Sequence, residues 1–251
     1  MARLELHDFT AGAWALVALA ALFVGMAKAG FSGLGMVAVV LMALVMPARQ
    51  STGELLTILI TADVFAVLAF RRHAVWPHVL RLLPAALVGI VCGWLLMPLV
   101  PEGAFRPFIG WLTIALLVLM VLQRTTPLAQ AAASHPAIAI PTGWLGGVTT
   151  MLANAAGPIM TIYLLACRLP KLELVGTGAW FFFIINLAKV PFSIRLGLID
   201  RSSLLLTLAV APVVIVGGFS GRWILRRINQ RVFEWLLLAF TLIAALRLIA
   251  A

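Results

Sequence analysis

Three ionisable side chains sit in stretches that water should not reach. Lys28, Asp63 and Lys189 each fall inside a long apolar run, where a charge costs roughly 2.5–3.5 kcal/mol on insertion scales. Residues held at that cost are read first as functional. Asn186 precedes Lys189 by three positions, so the two share one helix face. Lys28 stands just before a glycine-rich break, Ala29-Gly30-Phe31-Ser32-Gly33-Leu34-Gly35. Two lysines against one aspartate leave a net positive charge in a low-dielectric interior, and a bound anion would compensate it. Asp63, the carboxylate deep in an apolar run, is assigned a coupling role: it exchanges a proton or pairs with a site lysine. The rival reading has both lysines snorkel to the membrane surface and leaves Asp63 a structural ion-pair partner.

Such side chains need elements that hold them inside lipid. Hydrophobic residues make up 64% of the 251 positions and charged residues 10%, against about 25% charged in soluble domains. Lipid must therefore be the solvent for much of this surface. Apolar runs divided by breakers give ten segments, at about 11–28, 34–46, 52–70, 79–97, 105–123, 137–152, 157–167, 174–194, 203–221 and 232–250. The second and seventh are too short to cross ~30 Å of hydrocarbon at ~1.5 Å per residue. Both follow broken linkers, the glycine-rich one above and Ala153-Asn154-Ala155-Ala156-Gly157-Pro158. A helix that begins inside the membrane offers unpaired N–H groups and a positive dipole end, which attract an anion. The predicted substrate-binding set is Lys28, Ser32, Gly33, Gly35, Thr150, Asn154, Gly157, Asn186 and Lys189, with Thr149 as a further neutral donor. The bland reading of the small residues is close helix packing.

The chain also repeats. An offset of 123 places Pro47 on Pro170 and Asp63 on Asn186, and an offset of 128 places Pro84 on Pro212, Gly89 on Gly217, Gly93 on Gly221 and Phe105 on Phe233. Five segments per half is an odd number, so the second half should run the other way. The basic loops agree, since Arg71, Arg72 and Arg81 follow segment three while Arg222, Arg226, Arg227 and Arg231 follow segment nine. With the richer loops inside, ten basic residues are cytoplasmic, six are external and both termini face outward. The expected fold is an all-α polytopic membrane bundle, one transporter domain over 1–251, built from inverted repeats at about 11–123 and 137–250. Inverted repeats with broken helices are an architecture of secondary transporters, whose sites lie near the midplane.

Other classes fit less well. A net charge of +10 would suggest nucleic acid in a soluble protein, but the basic residues sit in short loops without interleaved aromatics. Cys92 and Cys167 lie in or beside apolar segments with no metal-ligand spacing, and read as small hydrophobes. His7, His73, His78 and His135 fall in loops or at segment edges, so no nucleophile–base arrangement points to an enzyme. Residues 1–30 carry Glu5 and Asp8, which suits a retained first helix better than a cleaved signal. No cofactor or metal is expected. The expected partners are a small anionic substrate, membrane lipid and the proton as coupling ion, with a homodimer left open; a channel and a non-transporting assembly subunit are the alternatives.

Several strings carry a family resemblance. Gly25-Met26-Ala27-Lys28-Ala29-Gly30-Phe31-Ser32-Gly33 resembles the first signature of the TauE/SafE permeases, the sulfite exporter family. Thr150 to Pro158, then Tyr163-Leu164-Leu165, Leu169-Pro170-Lys171, Gly176 to Phe182 and Asn186 to Pro191 resemble its second-half signature. Ala156 stands where a second glycine is common in relatives. The resemblance runs nearly end to end and implies transport of a sulfur-containing anion: sulfite, thiosulfate or a sulfonate. It implies a multi-pass protein of the bacterial inner membrane.

Overall fold

The computed structural model describes residues 9–28, 33–125, 138–224 and 230–250. They form α1 (Ala11–Lys28), α2 (Leu34–Val45), α3 (Ala48–Phe70), α4 (Trp76–Leu96), α5 (Glu102–Thr125), α6 (Ala139–Ala153), α7 (Gly157–Ala166), α8 (Lys171–Arg195), α9 (Arg201–Ile224) and α10 (Gln230–Ala250). Short 3-10 turns at Arg71–His73 and Met97–Leu99 extend α3 and α4. No strand occurs among the described residues. Six helices, α1, α3, α4, α5, α8 and α9, are long and apolar enough to cross a bilayer. At ~1.5 Å per residue the 12 residues of α2 and the 10 of α7 span roughly half of it.

The helices match the apolar segments, but several begin earlier than hydropathy predicts. α3 starts at Ala48 rather than 52 and α8 at Lys171 rather than 174, each behind a proline, Pro47 or Pro170. Proline's fixed φ suits the start of a helix, and the first turns are polar, so an apolar-run reading misses them. α4 likewise begins at Trp76, with Pro77 in its first turn.

The distribution of polarity confirms lipid as the solvent. Leu68, Leu99, Leu208 and Phe219 are all more than 60% exposed, while Asp63, Asn186 and Lys189 are buried. Charge inside and hydrocarbon outside is the arrangement a bilayer stabilises. Within the bundle α1 lies along α9 and α4 along α6. Glycines set these contacts: a Cβ at Gly25 would overlap the Val214 carbonyl, and one at Gly217 the Leu22 carbonyl. On the α4–α6 side a Cβ at Gly147 would overlap the Ala86 carbonyl, and one at Gly89 the Trp144 carbonyl. Backbone-to-backbone approach of this kind is how helices associate where burial alone cannot drive them. α3 packs on α8, and α5 on α10.

Ser32 and the rest of 29–32 lie outside the described residues, as do Arg226 and Arg227 of the second basic loop.

Candidate functional site

The functional candidates converge from four helices. Lys28 ends α1, Asp63 lies in the second half of α3, Asn154 follows the last residue of α6, and Asn186 and Lys189 sit one turn apart on α8. Lys28 Nζ lies 2.7 Å from Asp63 Oδ1, with the lysine side chain 15% exposed and the carboxylate wholly buried. The same ammonium stands over the Phe182 ring, 4.7 Å from its centroid. Asp63 Oδ2 accepts a hydrogen bond from Asn186 Nδ2 at 2.7 Å.

Lys189 Nζ then donates to Asn186 Oδ1 at 3.2 Å, to Thr150 Oγ1 at 3.1 Å and to Asn154 Oδ1 at 2.5 Å. Asn154 Nδ2 closes the sequence on the Thr52 carbonyl at 2.8 Å. A continuous polar chain therefore runs from α1 through α3 and α8 to α6. Asn154 holds its place because it terminates α6 in the left-handed region, φ 53°, which asparagine tolerates better than most residues. Its N–H returns to the Thr150 carbonyl at 2.9 Å, so the helix stops where the turn must enter the site.

Neither ammonium turns out of the bundle. Lys28 turns inward to its carboxylate, and Lys189 is 1% exposed. The charges are not equivalent. Asp63 compensates Lys28, whereas Lys189 has only neutral oxygens within hydrogen-bond reach among the described residues.

A cavity of about 140 Å³ lies beside this chain, room for several waters at ~30 Å³ each. Lys28, Gly35, Thr150, Asn154, Gly157 and Asn186 all line it. Asp63 and Lys189 do not; they stand behind its wall. Gly33 caps α2 and is buried away from the cavity, while Gly157 opens α7 at the cavity itself. Thr149 turns away, giving its hydrogen to the Leu145 carbonyl at 2.8 Å. One ammonium, two hydroxyls (Thr150 and Thr161) and two carboxamides around one cavity can hold a small anion.

Sequence reasoning missed Phe182 and Glu54. Phe182 precedes Asn186 by four positions and Lys189 by seven, the spacing of one helix face, so periodicity could have placed it at the site. Glu54 is a second buried carboxylate, 3% exposed. It was passed over because it lies in the polar opening turns of α3, where Gln50 Nε2 donates to its Oε1 at 3.4 Å. Asp63 is therefore not the one carboxylate withdrawn from water.

Comparison with protein families bears directly on this scaffold. The family described as Sulfite exporter TauE/SafE matches residues 17–248, from within α1 to the last turn of α10. The chain belongs to the TauE/SafE family. No curated protein and no solved structure matches it. With six helices able to cross a bilayer, this TauE/SafE member is a multi-pass membrane protein of a transporter family. The strings that carry the resemblance end α1 at Lys28, form the α6–α7 turn at Asn154 to Pro158, and place Asn186 and Lys189 on α8. The TauE/SafE signatures thus fall on the residues of the polar chain and its cavity.

Proposed function

We propose that the chain is a secondary transporter of a small sulfur-containing anion, such as sulfite, thiosulfate or an organosulfonate, in the bacterial inner membrane. The anion sits in the cavity at Lys28, Thr150, Asn154 and Asn186, and the two halves of the bundle rock around it by alternating access. The observation that carries the reading is the placement of charge: Lys189 is buried, with no carboxylate partner among the described residues, behind a cavity lined by hydrogen-bonding side chains. An anion there completes the electrostatics that the protein leaves open.

Alternating access rests on reading the halves as inverted repeats, and three features support that. Asp63 and Asn186, equivalent at an offset of 123, bond to each other, which is possible for equivalent positions beside a shared two-fold axis. Pro47 and Pro170 cap α3 and α8 alike. The Gly25–Val214 and Gly217–Leu22 contacts of α1 and α9 reappear as Gly147–Ala86 and Gly89–Trp144 in α6 and α4. In transporters so built, one repeat moves against the other around a fixed midplane site. Asp63 is the proposed coupling group, since a transported anion on Lys28 competes with it.

The test is ligand-dependent thermal stabilisation of the purified protein across sulfite, thiosulfate, sulfate, sulfonates and carboxylates, followed by flux in liposomes. Selective stabilisation by a sulfur oxyanion, with saturable flux of that anion, is expected. Voltage-driven current without saturation would make the protein a channel, and no stabilisation by any anion would remove the site.

A further inference from the structure

The cavity lies to one side of the polar chain. Leu174, Val175, Gly178 and Ala179, from the first half of α8, form one wall, and Thr161 and Leu164 of α7 form another. That half of α8 is fastened to the Arg71–His73 turn. Thr177 Oγ1 accepts the Val75 N–H at 2.9 Å, and Trp180 Nε1 donates to the Arg71 carbonyl at 3.4 Å. A Cβ at Gly176 would meet the backbone of Phe70 and His73. The cavity therefore runs from the polar chain toward the face that carries Arg71–His73, the cytoplasmic one by its charge.

α3 carries the equivalent face. At the offset of 123, Leu174, Val175, Gly178 and Ala179 correspond to Ser51, Thr52, Leu55 and Leu56. The contacts keep the same register: Gly176 of α8 packs on the turn that follows α3, and its equivalent Gly53 of α3 packs on Leu198, in the turn that follows α8. Yet the α3 face is shut, with Ser51, Thr52, Leu55 and Leu56 between 0% and 6% exposed. Asn154 closes on it, through the Thr52 carbonyl at 2.8 Å. Two of its four residues are nevertheless polar. Ser51 and Thr52 give their hydrogens to the Ala48 and Arg49 carbonyls of their own helix, each at 2.7 Å. Hydroxyls satisfied within one helix stay satisfied whether that helix is packed or wet.

We propose that Ser51, Thr52, Leu55 and Leu56 line the anion's passage to the opposite face of the membrane. The structure is then the state open toward Arg71–His73. In its counterpart α2 stands off α3 as α7 stands off α8 here, and the space between α7 and α8 closes. Halves that share their packing contacts can exchange conformations, which is how inverted repeats open one side at a time. This deepens the transport reading above and rests on it, by naming the residues of the second opening.

Single cysteines and a membrane-impermeant maleimide, applied to intact cells and to inside-out vesicles, test this in the full chain once Cys92→Ala and Cys167→Ala have removed the native thiols. Gly178→Cys should react only from the Arg71–His73 face and Leu55→Cys only from the other, with Thr52→Cys as the substitute if Leu55→Cys does not fold. Ile58→Cys should not react, since Ile58 and its equivalent Phe181 are both buried and Phe181 does not line the cavity. A wedge supplies the decisive arm. A Cβ at Gly178 meets only the Leu164 side chain, at 3.7 Å, so Gly178→Phe fills the cavity and keeps α7 from closing on α8. Labelling tracks the population of the exposing state, so the wedge should slow Leu55→Cys by about tenfold. A rate unmoved by the wedge, Ile58→Cys reacting as fast as Leu55→Cys, or no reaction of Leu55→Cys and Thr52→Cys from the far face would overturn the inference. Selective stabilisation of the same preparations by a sulfur oxyanion would then leave the anion site standing, whereas stabilisation by no anion would remove that site whatever the labelling.

Discussion

Two lysines turn into this bundle, one half-buried and one buried, and their surroundings differ. Lys28, in the first half of the chain, is paired with Asp63 and reaches the cavity. Lys189, in the second half, is packed among Thr150, Asn154 and Asn186 and stops short of it. A cation paired with a carboxylate is locally neutral and can exchange that partner for a ligand. A lysine surrounded by neutral oxygens orients those groups around its donor head. The same residue type thus supplies a contact in one half and a field in the other. Their separation depends on Asn186, whose amide stands between Asp63 and Lys189 and keeps the carboxylate on Lys28.

The largest effect should come from breaking the paired half. Removing one partner of a buried ion pair costs about 3–5 kcal/mol, so Asp63→Ala should lower thermal stability sharply. Lys28→Met combined with Asp63→Asn should recover much of the loss, because no lone charge is left in that pair. A melting curve for the double variant no better than for Asp63→Ala would mean that the two residues do not act as a pair.

A second effect separates pairing from coupling. If Asp63 exchanges a proton when the anion draws Lys28 away, Asp63→Asn should flatten the pH profile of flux in liposomes, since an amide cannot titrate. Flux that kept both its rate and its pH dependence would leave Asp63 no role in transport.

Smaller again is the contribution of the neutral wall. A neutral donor is worth about half a charged one, so Asn154→Ala should weaken anion binding by several-fold, roughly 1 kcal/mol, measured by titration calorimetry. A loss as large as that for Lys28→Ala would mean that Asn154, rather than the cation, dominates recognition.

Orientation gives a further check on the two halves. Cysteines placed at Glu102 and Arg227 should be labelled from opposite faces of the membrane; labelling from the same face would contradict inversion.

Much of this was legible in the sequence because lipid is an unforgiving solvent. Charges such as Lys28, Asp63 and Lys189 stand out in hydrocarbon, and prolines and glycines mark where helices must stop. The shortness of α2 and α7 follows from counting residues between breakers. Helix starts were less legible: Pro47 and Pro170 begin α3 and α8 in polar turns that hydropathy reads as loop. Glu54 was missed for the same reason. The division of labour between the lysines could not be read at all. Both lie on apolar segments, and only the turn of α6 at Asn154 places Lys189 behind a wall rather than on it.

The central claim is that an anion is held between the end of α1 and the α6–α7 turn by the charge of these two lysines. It is tested most directly by measuring the affinity of the best-binding sulfur oxyanion for wild type, Lys28→Ala and Lys189→Ala. A charge-assisted bond contributes roughly 1.5–3 kcal/mol, so Lys28→Ala should bind about ten- to a hundredfold more weakly while still folding; Lys189→Ala, which removes a charge behind the cavity wall rather than a contact, should also bind more weakly, by less. Near-wild-type affinity in both would place the site elsewhere and return the glycines around it to helix packing.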